Sequence, residues 1–278
     1  MTGIDDPESF YDDYGREEWD RLERSLHGRL EWEATVEQLR EGLPETGHLL
    51  DAGGGAGRYT VWLAEAGYDV TMIDLSDRQR AIAREKVRER GLTDRVQIQP
   101  GDIRDLPFEA GAFDATLCLG GPVSHLLDAA ERERAAGELR RVTASDAPVF
   151  VSVMGRLNFL QLLLIDGKHL DYLDELAETG DYDADLIERM GHDSAFTETH
   201  FFRAGEFERV LEAAGLAVEW LVGLEGLASV YTADPLRETA DGLDEDERVG
   251  VRSLIDHLRD DRTVADVSAH ILAVCRSG

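Results

Sequence analysis

His48-Leu49-Leu50-Asp51-Ala52-Gly53-Gly54-Gly55-Ala56-Gly57 is a short apolar run that ends in an acid and a glycine cluster. Tyr59 to Ala66 follows with helical spacing and is closed by Gly67, and Tyr68 to Ile73 reads as a second strand. A strand, a glycine turn, a helix and a strand in that order open a strand–helix–strand unit. Downstream the unit repeats. Ser76 is placed to cap a helix through Arg90 that Gly91 stops, Val96 to Gln99 is a third strand, and Phe113 to Leu119 is a fourth. A helix over Ala129 to Val142 leads to a fifth strand at Ala147 to Val153. Such alternation predicts an α/β fold, a Rossmann-like, doubly wound, mostly parallel sheet with helices on both faces.

The flanks are less regular. Residues 1–43 read as an acidic helical cap, with Trp19, Leu22, Leu26 and Leu30 at helical spacing and an interruption near Gly28. Residues 156–202 lapse into helical and polar segments that read as an insertion over the sheet. Residues 203–214 form an amphipathic helix, Leu216 to Val222 a sixth strand, 223–263 a second irregular insertion, and His270 to Cys275 a seventh strand. The expected organisation is one domain over 1–278, with a cap at 1–43, a ligand-binding core at 44–155, an insertion or lid at 156–202, and the rest of the sheet at 203–278.

Composition narrows the function classes. Lys and Arg number 29 against 58 Asp and Glu, a formal balance of −29. That excess repels phosphate backbones, so a broad nucleic-acid-binding surface is disfavoured. Lysine occurs only at Lys86 and Lys168, and acidity with so little lysine matches a salt-loving habitat, where ionic strength screens self-repulsion. No run approaches a membrane span, and the acidic first twenty residues are unlike a signal peptide. A soluble cytoplasmic protein is expected. Cys118 and Cys275 sit in apolar strand-like runs and read as buried thiols.

The glycine turn lies where a doubly wound sheet binds ligands, at the carboxyl edge beside the reversal of strand order. Glycines let a ligand approach the backbone, and the amides at the helix start favour a negative group. No frame gives G-x-G-x-x-G, which removes the main support for a nicotinamide dinucleotide. What stands is D-x-G-x-G-x-G, with Asp74 ending the next strand and Asp102 following the third.

With these residues the chain resembles the class I S-adenosylmethionine-dependent methyltransferases, from about Leu49 to Val153 and less distinctly to the end. The resemblance implies that Gly53, Gly55 and Gly57 receive the methionine half of S-adenosylmethionine and that Asp51 orients its amino end. It implies that Asp74 accepts from both ribose hydroxyls beside Leu75, that Asp102 accepts from the adenine amino group next to Ile103, and that Leu119 lies near the methyl-bearing sulfur. A carboxylate suits two neighbouring hydroxyl donors, and acids tolerate a sulfonium cation. Tyr11, in a segment that folds over the cofactor in similar enzymes, is a further candidate contact.

On the acceptor side, His125 follows the fourth strand in Leu119-Gly120-Gly121-Pro122-Val123-Ser124-His125 and is the candidate general base. The loop lacks the Asn or Asp, two prolines and aromatic of base-methylating relatives, so a small organic acceptor is expected. Lys168, His169, Tyr172, His192, His200, Phe201 and Phe202 are the insertion's candidates for an acceptor pocket. His192 and His200 lack partners at metal-ligand spacing, so no metal is assigned. The alternatives are a regulatory protein that binds S-adenosylmethionine without transferring its methyl group, and methylation of protein or RNA.

Overall fold

The computed structural model describes residues 15–191 and 197–278. Tyr11 and His192 lie outside them.

Among the described residues, two helices, α1 (Glu17–Arg24) and α2 (Leu26–Gly42), precede the first strand. The break between them falls at Ser25, whose hydroxyl accepts from Gly28 N, rather than at Gly28 itself. Gly28 is instead where the helices touch: a Cβ there would meet the Arg21 carbonyl oxygen at 2.4 Å.

The core alternates as expected through β1 (His48–Ala52), α3 (Arg58–Glu65), β2 (Asp69–Asp74), α4 (Asp77–Glu89), β3 (Val96–Pro100), β4 (Ala115–Cys118), α5 (Ala129–Val142) and β5 (Pro148–Met154). The insertion opens with α6 (Arg156–Asp166), and the sheet closes through β6 (Leu216–Gly223) and β7 (His270–Ser277). Strand order is β3-β2-β1-β4-β5-β7-β6. The first five strands are parallel and β7 runs antiparallel to both its neighbours. The order reverses between β1 and β4, so the β1–α3 turn and the β4–α5 loop face each other across that crevice.

Alternate residues of each strand serve opposite faces, as strand geometry requires. Leu50, Val149, Val151, Val153, Ile271 and Ala273 pack with α5 and with the helix Ala204–Ala213. Leu49, Phe150, Leu272 and Val274 pack with Leu39 of α2 and Leu63 of α3. Cys118 and Cys275 are buried without a disulfide, and burial pushes the Cys275 thiol up to about 12.

The insertion has a small core of its own, in which the Phe159 and Phe201 rings stack with centroids 4.0 Å apart. The second insertion is a correction to the expected irregular stretch. It is helical, with a 3-10 segment at Gly226–Thr232 and α-helices at Asp234–Gly242, Glu245–Leu258 and Arg262–Val267. Asp244 caps one of them in a reciprocal box with Glu247. No described helix is long and apolar enough to cross a membrane.

Candidate cofactor and acceptor site

Gly53 and Gly57 hold the β1–α3 turn in left-handed backbone, at φ +74 and +82. A Cβ on Gly53 would lie 2.6 Å from Pro122 of the facing loop, and one on Gly57 would lie 2.8 Å from Ala83. Strained φ and closed space therefore both require glycine. Gly55 turns its amide onto Asp74 Oδ2 at 2.8 Å, and Ser76 N donates to Asp74 Oδ1 at 2.9 Å. Two backbone donors thus fix the carboxylate beside the turn.

A cavity of ≈ 360 Å³ opens there, and it collects most of the residues expected from sequence. Gly53, Gly55, Asp74, Leu75, Asp102, Ile103, Leu119 and His125 all line it. Asp51 and Gly57 do not. Asp51 is buried behind the turn, where Thr60 donates to its Oδ2 at 2.5 Å, and burial raises its carboxyl to about 6. Gly57 shapes the bend from beneath.

Asp102 reaches the cavity already engaged. Arg104 N donates to Oδ1 at 2.8 Å and Arg104 Nη2 to Oδ2 at 2.7 Å, while Arg104 Nη1 bonds Glu131 at 2.8 Å. Burial alone would raise the Asp102 carboxyl, but the Arg104 bonds and charge hold it below its ordinary value. His125 Nδ1 lies 2.9 Å from the Glu198 carbonyl oxygen. A carbonyl can only accept, so Nδ1 carries the hydrogen and Nε2 is the basic nitrogen of the neutral ring. Burial lowers its pKa.

Sequence reading missed the wall that α1 supplies. Glu18 and Arg21 line the same cavity, and a Cβ on Gly55 would stand 3.6 Å from Glu18 Cγ. Burial raises the Glu18 carboxyl. Arg21 grips Glu31 of α2 with Nη1 at 2.5 Å and Nη2 at 3.0 Å. Only the i to i+3 spacing of Glu18 and Arg21, which share one helix face, was visible beforehand.

A second cavity of ≈ 360 Å³ adjoins the first, with Glu18, Arg21, Gly120 and His125 in both walls. Met154, Phe159, Leu162 and Phe201 give it an apolar side, and His27, His270 and Asn158 a polar one. The Asn158 amide nitrogen is buried with no hydrogen-bond partner among the described residues. Of the insertion's seven candidates, Phe201 alone among those described lines this space. Lys168 extends toward Asp234, Tyr172 donates to the Arg189 carbonyl, His200 bridges Asp181 and Glu206, and Phe202 is in the sheet core. His169 is among neither cavity's lining residues.

Residues 49–146 match the family model described as methyltransferase domain. The chain is 31% identical over 168 residues to Methyltransferase GfsG of Streptomyces halstedii, a match covering 58% of this chain and 59% of that one. It is 29% identical over 189 residues to the glycine/sarcosine/dimethylglycine N-methyltransferase of Actinopolyspora halophila, covering 66% of this chain and 32% of that one. The fold superposes on a SAM-dependent methyltransferase from Methanosarcina mazei with a TM-score of 0.59 at 19% identity, covering 86% of this chain and 96% of that one. The sheet order, the glycine turn with its facing acid, and the matched residues agree: residues 49–146 form a methyltransferase domain, and the chain spans 59% and 32% of the lengths of these two relatives.

Proposed function

We propose that the protein transfers the methyl group of S-adenosylmethionine to a small organic acceptor held in the second cavity. The observation that carries this reading is the pair of adjoining cavities at the carboxyl edge of the sheet, with Gly120 and His125 in the wall between them. Donor and acceptor seated there would meet beside Leu119.

The residues present fit the cofactor. Bound there, it would supply an electrophilic methyl group on a positively charged sulfur. Asp74, fixed by Gly55 and Ser76 amides, offers the carboxylate acceptor that a ribose diol needs, and Leu75 and Ile103 offer apolar surface for a flat base. Glu18, above the glycine turn, is placed to accept from an ammonium group, a role that sequence assigned to Asp51. Asp102 serves the adenine side together with Arg104, whose guanidinium occupies both carboxylate oxygens.

For the transfer itself the chain needs only to align the partners, and holding two reactants in contact geometry is worth up to roughly 7 to 11 kcal/mol. His125 Nε2 is the candidate to take a proton from a hydroxyl or ammonium acceptor. Asn158 supplies an unused donor for an acceptor oxygen. The names of the relatives include an amino-acid N-methyltransferase, which supports a small acceptor.

Calorimetric titration with S-adenosylmethionine and with its demethylated product tests the cofactor assignment. Asp74→Ala is expected to weaken binding by about 1.5 to 3 kcal/mol, the range for hydrogen bonds to a charged group. Unchanged affinity removes the ribose role of Asp74. Demethylated product formed only when candidate acceptors are added supports transfer, whereas tight binding without turnover across amine, hydroxyl and carboxylate acceptors supports the non-catalytic alternative.

A further inference from the structure

Four side chains at the edge of the acceptor cavity form a constellation that methyl transfer does not use. His27 and Glu31 lie one turn apart on the same face of α2. Glu225 follows β6, and His270 begins β7. One ligating atom from each falls within 4.8 Å of the other three. His270 Nδ1 is 2.7 Å from Glu225 Oε1 and 3.6 Å from Glu31 Oε2, and His27 Nε2 is 3.6 Å from Glu225 Oε1. Both carboxylates are fully withdrawn from solvent. Two buried carboxylates turned toward one point call for positive charge, and the Arg21 fork on Glu31 supplies only one unit of it as a permanent charge.

We propose that His27, Glu31, Glu225 and His270 bind a divalent first-row transition-metal ion, with a coordination position left toward the acceptor cavity for an oxygen of the acceptor. Two imidazole nitrogens with two carboxylate oxygens and no thiolate suit zinc, iron, cobalt or manganese, whereas magnesium and calcium prefer all-oxygen sets.

The surroundings are built as metal sites are. Ser268 Oγ and His270 N hold Glu225 Oε2 at 2.9 and 3.0 Å, which directs Oε1 to the cluster. The Arg21 fork binds both Glu31 oxygens, Nη1 on Oε2 and Nη2 on Oε1, and so fixes the position of that carboxylate, whose Oε2 also faces His270. His27 Nδ1 is buried with no hydrogen-bond partner among the described residues, while its Nε2 faces Glu225 Oε1 and its ring lies beside that of His270. His27 and His270 both line the acceptor cavity, which opens the site to a ligand. The clause about the acceptor rests on the function proposed above. The ion site does not.

The test is a titration of the full chain, stripped with a chelator, with Co²⁺ and separately with Zn²⁺. Visible ligand-field absorption and the metal retained after gel filtration are the readouts. One ion per chain is expected, with affinity about tenfold lower or more in His27→Gln and in Ser268→Ala. Circular dichroism checks that each variant is folded. No retained ion in the wild-type chain overturns the site. So does equal affinity in His27→Gln, because an acidic surface binds divalent ions loosely without it. S-adenosylmethionine is titrated in parallel, so a chain that binds the ion but not the cofactor sinks the methyltransferase reading and leaves the metal site standing.

Discussion

Asp51 ends β1 with its carboxylate sealed behind the glycine turn. Burial raises its pKa from 3.8 to about 6, opposed by the Thr60 hydroxyl. A folded-state value above the unfolded one means that the native chain holds this proton more tightly. The contribution of Asp51 to stability is therefore fully present below about pH 4 and is lost as pH rises to about 6, by about 3 kcal/mol. Urea unfolding across that window should show a smaller fall with pH in Asp51→Asn than in the wild-type chain, and parallel curves would refute the assignment. Among the site residues, Gly53, Gly55 and Asp74 were legible because their roles are local, each acting within one loop of its own strand. Glu18, Arg21 and Asn158 were not. They reach the cavities only through the packing of α1 and α6 on the sheet edge, and no spacing announces that.

One side chain ties several parts of the insertion together. Arg156, first residue of α6, donates to the carbonyls of Phe201, Ala177, Glu178 and Thr179 and pairs with Glu206 at 2.6 Å. A Cβ on Gly180 would stand 2.3 Å from its Nη2, so the chain comes close around the guanidinium. Arg156→Met is expected to destabilise the protein by about 2 to 4 kcal/mol, because it strands the buried Phe201 carbonyl, removes the donor shared by three further carbonyls and unbalances Glu206. Thermal unfolding measures it, and a loss well under 1 kcal/mol would mean that the insertion is held by its apolar core alone. Strands β1, β2, β4 and β5 were readable because they are buried on both faces and so read as short apolar runs. The helices of 234–258 were not, since Ala240 and Ile255 are the buried residues along them and leave almost no apolar stripe to detect. The Asp244–Glu247 capping box was nonetheless present in the sequence as a start signal.

Across the whole molecule, the formal charge of −29 sets the solution behaviour. Surface ion pairs such as Arg24–Glu17 and Arg90–Glu65 add local attraction without changing that net charge, and an exposed pair is worth at most about 1 kcal/mol. Net repulsion should therefore dominate at low ionic strength, so the unfolding temperature is expected to rise from dilute buffer to molar KCl. A fall over the same range would show that the ion pairs outweigh the repulsion. Finally, Arg21 of α1 forms part of both cavity walls while clamped to α2 through Glu31. A ligand that displaces this helix from one side is felt on the other, and thermodynamic reciprocity makes the two influences equal in size. The helical pair would then act as a shared hinge that makes loading of one partner favour, or oppose, loading of the second.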